Sequence, residues 1–367
     1  MYIYYKKYSS VRNYKDNRYM INNSQKSNNK DYSDFYNLNK FTIIRSAIIV
    51  GMLPNSHQNI SREVKLWRIK SVITFIEFNK QHVYPSENLD FLEQSEKTII
   101  GYFLGMVFAH IHMQKCYGLR HIAHLKTHGI ITKNNIYYNE TNQLVESRRS
   151  PDFWGYNKKN KESYLIEAKG STQKDKRITP NTIERAALQL NDVMEVRFTG
   201  NQYSNTYNIS FTEKNKNLNK LIIGTHPFSK QGEYIQEQVV TQSNRIPISL
   251  QIDENIMIYH YYCHLIRLLQ SEKNDIKSFI LEEINLEFKV LYLRELNCYI
   301  GVMKEIYEVL DPLVNEEFNI NCLKINISKE ISKTLDTLEF MEIEKKVDSQ
   351  KNISLGIDGV ICFEKKA

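Results

Sequence analysis

One stretch, SPDFWGYNKKNKESYLIEAKGST at residues 150–172, constrains the fold of this 367-residue chain more than any other. It sets two apolar runs on either side of a polar one, Asn157–Glu162, which is the pattern of a β-hairpin. Residues i and i+2 of a strand share a face, so Glu167 and Lys169 project together. With the turn centred on Lys159–Asn160, Asp152 falls opposite Glu167. Directly opposed residues point to one face, with Cβ atoms about 5 Å apart. Two facing carboxylates repel each other; a neighbouring ammonium and a divalent cation between them make the placement stable. An acid, any residue and a lysine occur six times, beginning at Glu63, Glu167, Asp275, Glu287, Glu344 and Glu364. Only the triplet at Glu167 ends an apolar run, precedes a glycine and follows the chain's one Pro-Asp, Pro151-Asp152.

The flanking sequence predicts the elements around this hairpin. A helix starts near Ser95 as N-cap, with Glu96 in its first turn where the helix dipole favours an acid. Its body is TIIGYFLGMVFAHIHM, and the Gly101-x-x-x-Gly105 spacing lets another backbone approach one face. That helix, or a second one after Gly118, ends at Gly129. Short strands follow at Ile136–Tyr138, Gln143–Val145, Asp152–Tyr156 and Tyr164–Lys169. Asn181-Thr-Ile-Glu184 reads as a capping box opening a helix over Asn181–Val196. Leu221–Gly224 is the next strand, after a connection longer than usual that reads as an insertion. From Asn255 to Leu310 the pattern is mostly helical. Gly356–Phe363 closes the chain as a strand.

Pro-Asp followed by a strand ending in Glu-x-Lys, within a helix–strand–strand–strand–helix–strand order, resembles the PD-(D/E)xK nuclease-like superfamily, the restriction-endonuclease fold. The resemblance covers roughly residues 95–225, about a third of the chain. It implies an α/β protein with a restriction-endonuclease-like core (αβββαβ, a mixed sheet flanked by helices), here followed by a largely helical C-terminal region. It implies a Mg²⁺-dependent endonuclease, Mn²⁺ substituting, with DNA as the favoured substrate and a role in restriction, phage defence or repair. By resemblance, Asp152 and Glu167 bind the metal, helped by the Ala168 carbonyl, and Lys169 orients the attacking water or stabilises developing phosphate charge. Some members add an acid from the first helix, for which Glu96 is the candidate; a helix N-terminal acid explains Glu96 as well. Some branches place a glutamine on the next helix, and Gln189 fits. A hard cation, carboxylate oxygens and a compact lysine suit phosphodiester hydrolysis. Arg148, Arg149, Lys174, Lys176 and Arg177 flank the site and can track a phosphate backbone.

Composition narrows the alternatives. Lys and Arg total 49 against 42 Asp and Glu, a net charge of +7 that permits a polyanionic partner without requiring one. Five cysteines without a CxxC pair argue against a disulfide scaffold and fit the cytoplasm. The N-terminus lacks a signal-peptide apolar core. The uncharged run Thr98–Gln114 reads as a buried helix rather than a membrane span. Four regions emerge: an Asn/Tyr-rich, loosely ordered arm at 1–40, a packed layer at 41–94, the nuclease-like core at 95–230 and a mainly helical region at 245–367 ending in a strand. A rival zinc site would use His121, His124 and His128 on one helix face, with His110 and His112 upstream. No nucleotide-binding loop is present. A second function class is a non-catalytic nucleic-acid- or protein-binding module on a nuclease-like scaffold. The stripe Leu286, Val290, Leu293, Tyr299, Met303 and Ile306 is then core, or the face through which the C-terminal helices meet a protein partner or a second copy.

Overall fold

The long helix that the sequence places before the hairpin runs over Gln94–Tyr117. Its start lies two residues earlier than expected. Glu93 is the cap, with a reciprocal bond from the Glu93 amide to the Glu96 carboxylate (2.8 Å). It ends at Gly118, whose φ of 62° suits a residue without Cβ, and not at Gly129. Residues 100–114 are buried except for Tyr102, so the uncharged run is a core helix. Among the described residues no helix is long and apolar enough to cross a membrane. The computed structural model describes residues 2–8, 32–50, 61–78, 83–125, 137–138, 144–145, 151–173, 178–191, 193–199, 210–214, 218–226, 233–238, 248–314, 326–336, 347 and 352–365.

The helices are α1 (Lys40–Ile49), α2 (Arg62–Ile73), α3 (Gln94–Tyr117), α4 (Pro180–Asn191), α5 (Glu254–Ser271), α6 (Lys304–Val314) and α7 (Ile327–Asp336). The main sheet has seven strands: β1 (Tyr2–Tyr8), β2 (Tyr32–Asn37), β3 (Ile122–His124), β4 (Phe153–Asn157), β5 (Glu162–Gly170), β6 (Leu218–His226) and β7 (Glu233–Gln238). Their spatial order is β2-β1-β7-β6-β5-β4-β3. The pairs β5–β6 and β1–β7 are parallel and the rest antiparallel, so the sheet is mixed. Its central part follows the order α3, β3, β4, β5, α4, β6. The protein is thus mixed α/β, a mixed sheet with flanking helices.

Several expectations need correction. The arm at 1–40 supplies the edge strand β2 and its neighbour β1, both rich in strand-favouring tyrosine. Helix α4 begins at Pro180, with Thr179 receiving the Thr182 amide at 3.4 Å; proline at the first helical position starts it before Asn181. It also stops at Asn191, and Val193–Thr199 is a strand. That strand pairs with Ser210–Lys214 and Ile248–Asp253 in a separate three-stranded sheet, which fills the long connection before β6.

The C-terminal region is not mainly helical. Helices α5 and α6 form as expected, but residues between them build antiparallel strands Lys277–Leu281, Leu286–Leu293 and Cys298–Met303. Val360–Glu364 and Ile353–Leu355 complete a five-stranded antiparallel sheet. Leu286, Val290 and Leu293 have helical spacing, yet the strand is covered on both faces, so apolar residues crowd it at helix-like intervals. The tail's strand is shorter than expected, because Gly356–Gly359 form a turn, closed by the Gly359 amide on the Gly356 carbonyl (3.0 Å). Helix α1 joins the two ends of the chain: Asn39 Nδ2 donates to the Ile353 carbonyl (2.8 Å), and the Thr42 and Ser354 hydroxyls bond at 3.0 Å.

Candidate active site

The hairpin β4–β5 has the register expected from its turn. Phe153 pairs with Ile166 and Asn157 with Glu162. Asn157 builds the turn itself, its Oδ1 accepting the amides of Lys159 (2.9 Å) and Asn160 (3.1 Å). Lys161 completes it in the left-handed region, φ 56°. One step beyond Phe153, Asp152 meets Glu167. The Asp152 amide donates to Glu167 Oε2 (3.1 Å), the Ala168 amide donates to Asp152 Oδ2 (2.9 Å), and Lys169 Nζ pairs with Glu167 Oε1.

The pleat separates this cluster from the packing side. Tyr164, Ile166, Ala168 and Gly170 share the face that meets α3. There Gly101 and Gly105 allow the close approach their spacing implies. A Cβ on Gly105 would lie 2.7 Å from the Gly170 nitrogen, and one on Gly170 only 1.9 Å from the Gly101 carbonyl oxygen. Leu165, Glu167 and Lys169 occupy the other face, with Trp154 locked there by its indole N–H on the Ser163 hydroxyl (2.8 Å). Asp152 is 1 % exposed and Glu167 0 %, whereas Lys169 keeps 25 % of its side chain in solvent. The cluster is therefore buried at its carboxylates and open at its ammonium.

Comparisons with protein-family models, with curated proteins and with solved structures returned no match.

The chemistry of the donor set fits the divalent cation that the resemblance implies. Both carboxylates are buried and all their donor atoms are hard oxygens. Bringing two buried carboxylates together is costly, and a cation between them would offset that cost. Among the described residues, no group of three or more His, Cys, Asp or Glu converges on a metal-sized space.

The remaining expected residues fall into three sets. Ala168 joins the cluster through its amide rather than its carbonyl. Glu96 is exposed, with its carboxylate committed to the α3 cap, so it serves the helix. Gln189 lies half-buried on α4, the helix that follows the motif strand and packs on it. Arg148, Arg149, Lys174, Lys176 and Arg177 lie outside the described residues.

The histidine stripe is not a stripe. His121 precedes β3 and His124 belongs to it, so their spacing is not helical; His128 lies outside the described residues. His121 Nε2 bonds the Tyr262 hydroxyl (2.9 Å) and His110 Nε2 the Tyr261 hydroxyl (2.8 Å). Burial holds both imidazoles below their ordinary range, His121 down to about 3, and Arg45 pushes His110 further down. Cys116, Cys263, Cys298 and Cys362 form no disulfide, and Cys322 lies outside the described residues.

The sequence reading missed a second buried charge cluster. Arg45 Nη1 donates to Asp358 Oδ1 and to Gln114 Oε1, each at 3.1 Å. Asp358 Oδ2 accepts from the Tyr261 hydroxyl (2.6 Å) and from Gln114 Nε2 (3.0 Å), and Oδ1 also takes the Val360 amide (3.2 Å). Its members are scattered from residue 45 to residue 358, so no local pattern announces it.

Proposed function

We propose that this protein is a Mg²⁺-dependent endonuclease that hydrolyses phosphodiester bonds of DNA, on a restriction-endonuclease-like core. The observation that carries the reading is the meeting of Asp152, Glu167 and Lys169 on one face of the β4–β5 hairpin, with the carboxylates buried and the ammonium open. The chain order α3, β3, β4, β5, α4, β6 around that face supports it.

In this reading Asp152 and Glu167 hold the cation. Bound Mg²⁺ neutralises phosphate charge and makes water a better nucleophile at neutral pH. The protein's own groups do the positioning. The amides of Asp152 and Ala168 fix the two carboxylates across the hairpin. Lys169, held by Glu167 and facing solvent, binds a non-bridging phosphate oxygen and stabilises charge developing there. Water attacks phosphorus and the bond to the leaving oxygen breaks. The attacking water loses a proton to solvent and the leaving oxygen gains one.

Purified protein is incubated with supercoiled, linear and single-stranded DNA, and with RNA, in Mg²⁺ or in EDTA. Cleavage of DNA in Mg²⁺, absent in EDTA and absent in Asp152→Asn, is expected. DNA left intact in Mg²⁺, or equal cleavage by Asp152→Asn, contradicts the proposal.

A further inference from the structure

The five-stranded antiparallel sheet carries a row of rings that no part of the nuclease reading uses. Phe279 stacks on Phe363 with centroids 4.2 Å apart, and Phe363 on Tyr299 at 5.2 Å with planes only 19° apart. Tyr299 continues to Tyr292 at 5.1 Å. The pairing explains the row: Tyr292, Tyr299 and Phe363 lie opposite one another on three adjacent strands, so all three share one face. All four rings are half-buried.

The row ends in a pocket of about 490 Å³, lined by Tyr292 and Tyr299 with Lys277, Arg294 and Lys365 around them. The last ring, Tyr292, is covered on its outer side by the Lys365 ammonium, 4.7 Å from the ring centroid. Arg62 bridges Glu272 (2.8 Å) and Glu295 (3.0 Å), and the exposed Lys277, Arg294 and Lys365 outweigh the remaining acid charge, so the lining carries one net positive charge. Lys277 and Arg294 have no ion pair among the described residues.

We infer that this pocket binds a nucleotide of a single-stranded nucleic acid, its base stacking on Tyr292 and its phosphates meeting Lys277, Arg294 and Lys365. Tyr292 ends the row beside the pocket, tilted 45° to Tyr299, and a planar ring can take the face that the Lys365 ammonium covers. An ammonium over an exposed ring is held less strongly than a stacked base, so Lys365 yields the face and turns to phosphate. Three exposed cations around a tyrosine pocket complement an aromatic polyanion better than an acidic peptide, which has charge without planar rings. This inference does not rest on the motif hairpin, which lies in other elements.

The test is fluorescence anisotropy in EDTA, where no metal-dependent cleavage proceeds, with the full chain and a labelled dT₁₂ oligonucleotide. Tyr292→Ala should weaken binding about tenfold, Tyr292→Phe should bind like the parent, and Lys277→Gln with Lys365→Gln should weaken binding and flatten its salt dependence. Glu167→Gln should bind like the parent, so failure of the nuclease reading leaves this result standing. Thermal melts establish that each variant folds; if Tyr292→Ala does not, the charge pair and Tyr299→Ala carry the test. Parental affinity in both Tyr292→Ala and the lysine double variant would overturn the inference. So would a preference for duplex over single strand, or equal competition by poly-glutamate.

Discussion

Two buried charge clusters sit in this protein and differ in closure. Around Asp358 every charge has its opposite: one carboxylate, one guanidinium, and four donors on the carboxylate, with Arg45 and Asp358 both buried. Around Glu167 two carboxylates meet across the hairpin, and the Lys169 ammonium that pairs with Glu167 reaches solvent. The closed cluster ties α1, α3, α5 and the C-terminal turn together. The open cluster meets solvent through Lys169, as the proposed site requires. Closure, more than burial, distinguishes the two clusters.

Breaking the closed cluster should give the largest stability effect. Asp358→Asn leaves Arg45 buried without its counter-charge and should cost about 3–5 kcal/mol, read by urea denaturation. Glu167→Gln should cost less than about 1 kcal/mol or stabilise, because it removes one of two opposed carboxylates. Equal losses in the two variants would erase the contrast.

On activity the order reverses. Lys169→Ala should lower single-turnover DNA cleavage by about 10²–10³ while stability stays near the parent's. Between these extremes lies the helix contact behind the site. Gly105→Ala brings a Cβ within 2.7 Å of the Gly170 backbone and should cost about 1–3 kcal/mol. It should also lower cleavage by displacing the strand that carries Glu167; unchanged cleavage in this variant would mean that the α3–β5 contact does not position the site.

The pH dependence of the closed side is a separate handle on it. His121, pushed by burial down to about 3, is neutral in the fold, and His110 likewise lies below its ordinary range. The unfolded chain takes up protons below about pH 6.5 that the fold refuses. Their contribution is therefore fully present above that pH and is lost as pH falls toward the folded values. Each histidine steepens the fall by up to about 1.4 kcal/mol per pH unit. His121→Gln should make the fall between pH 6 and 4 shallower; an unaltered slope would assign it to other groups.

Legibility in the sequence followed locality. The hairpin, its register and the Gly101/Gly105 contact were readable because each depends on residues near in sequence or on one spacing rule. Asp152 and Glu167 are only fifteen residues apart in the chain. The closed cluster was not readable, since Arg45 and Asp358 come together only through the tertiary fold. The C-terminal sheet was misread for a different reason. Leu286–Leu293 carries buried residues on both faces, Phe288 and Val290 on one and Leu291 and Leu293 on the other, which masks the period of two behind helix-like spacings. The alternation Leu286, Phe288, Val290, Tyr292 was present, as were Asn285 and Asn297, whose φ values of 50° and 49° mark turns that a helix does not contain.

The claim that the Glu167 cluster is completed by a cation is tested most directly by calorimetric titration of Mg²⁺ and Mn²⁺ into the full chain, its Asp152→Asn and Glu167→Gln variants, and Lys169→Ala. One saturable site in the parent is expected, weakened at least tenfold in both carboxylate variants and retained in Lys169→Ala. Binding that is equal in the parent and the carboxylate variants, or absent from all four proteins, would contradict it.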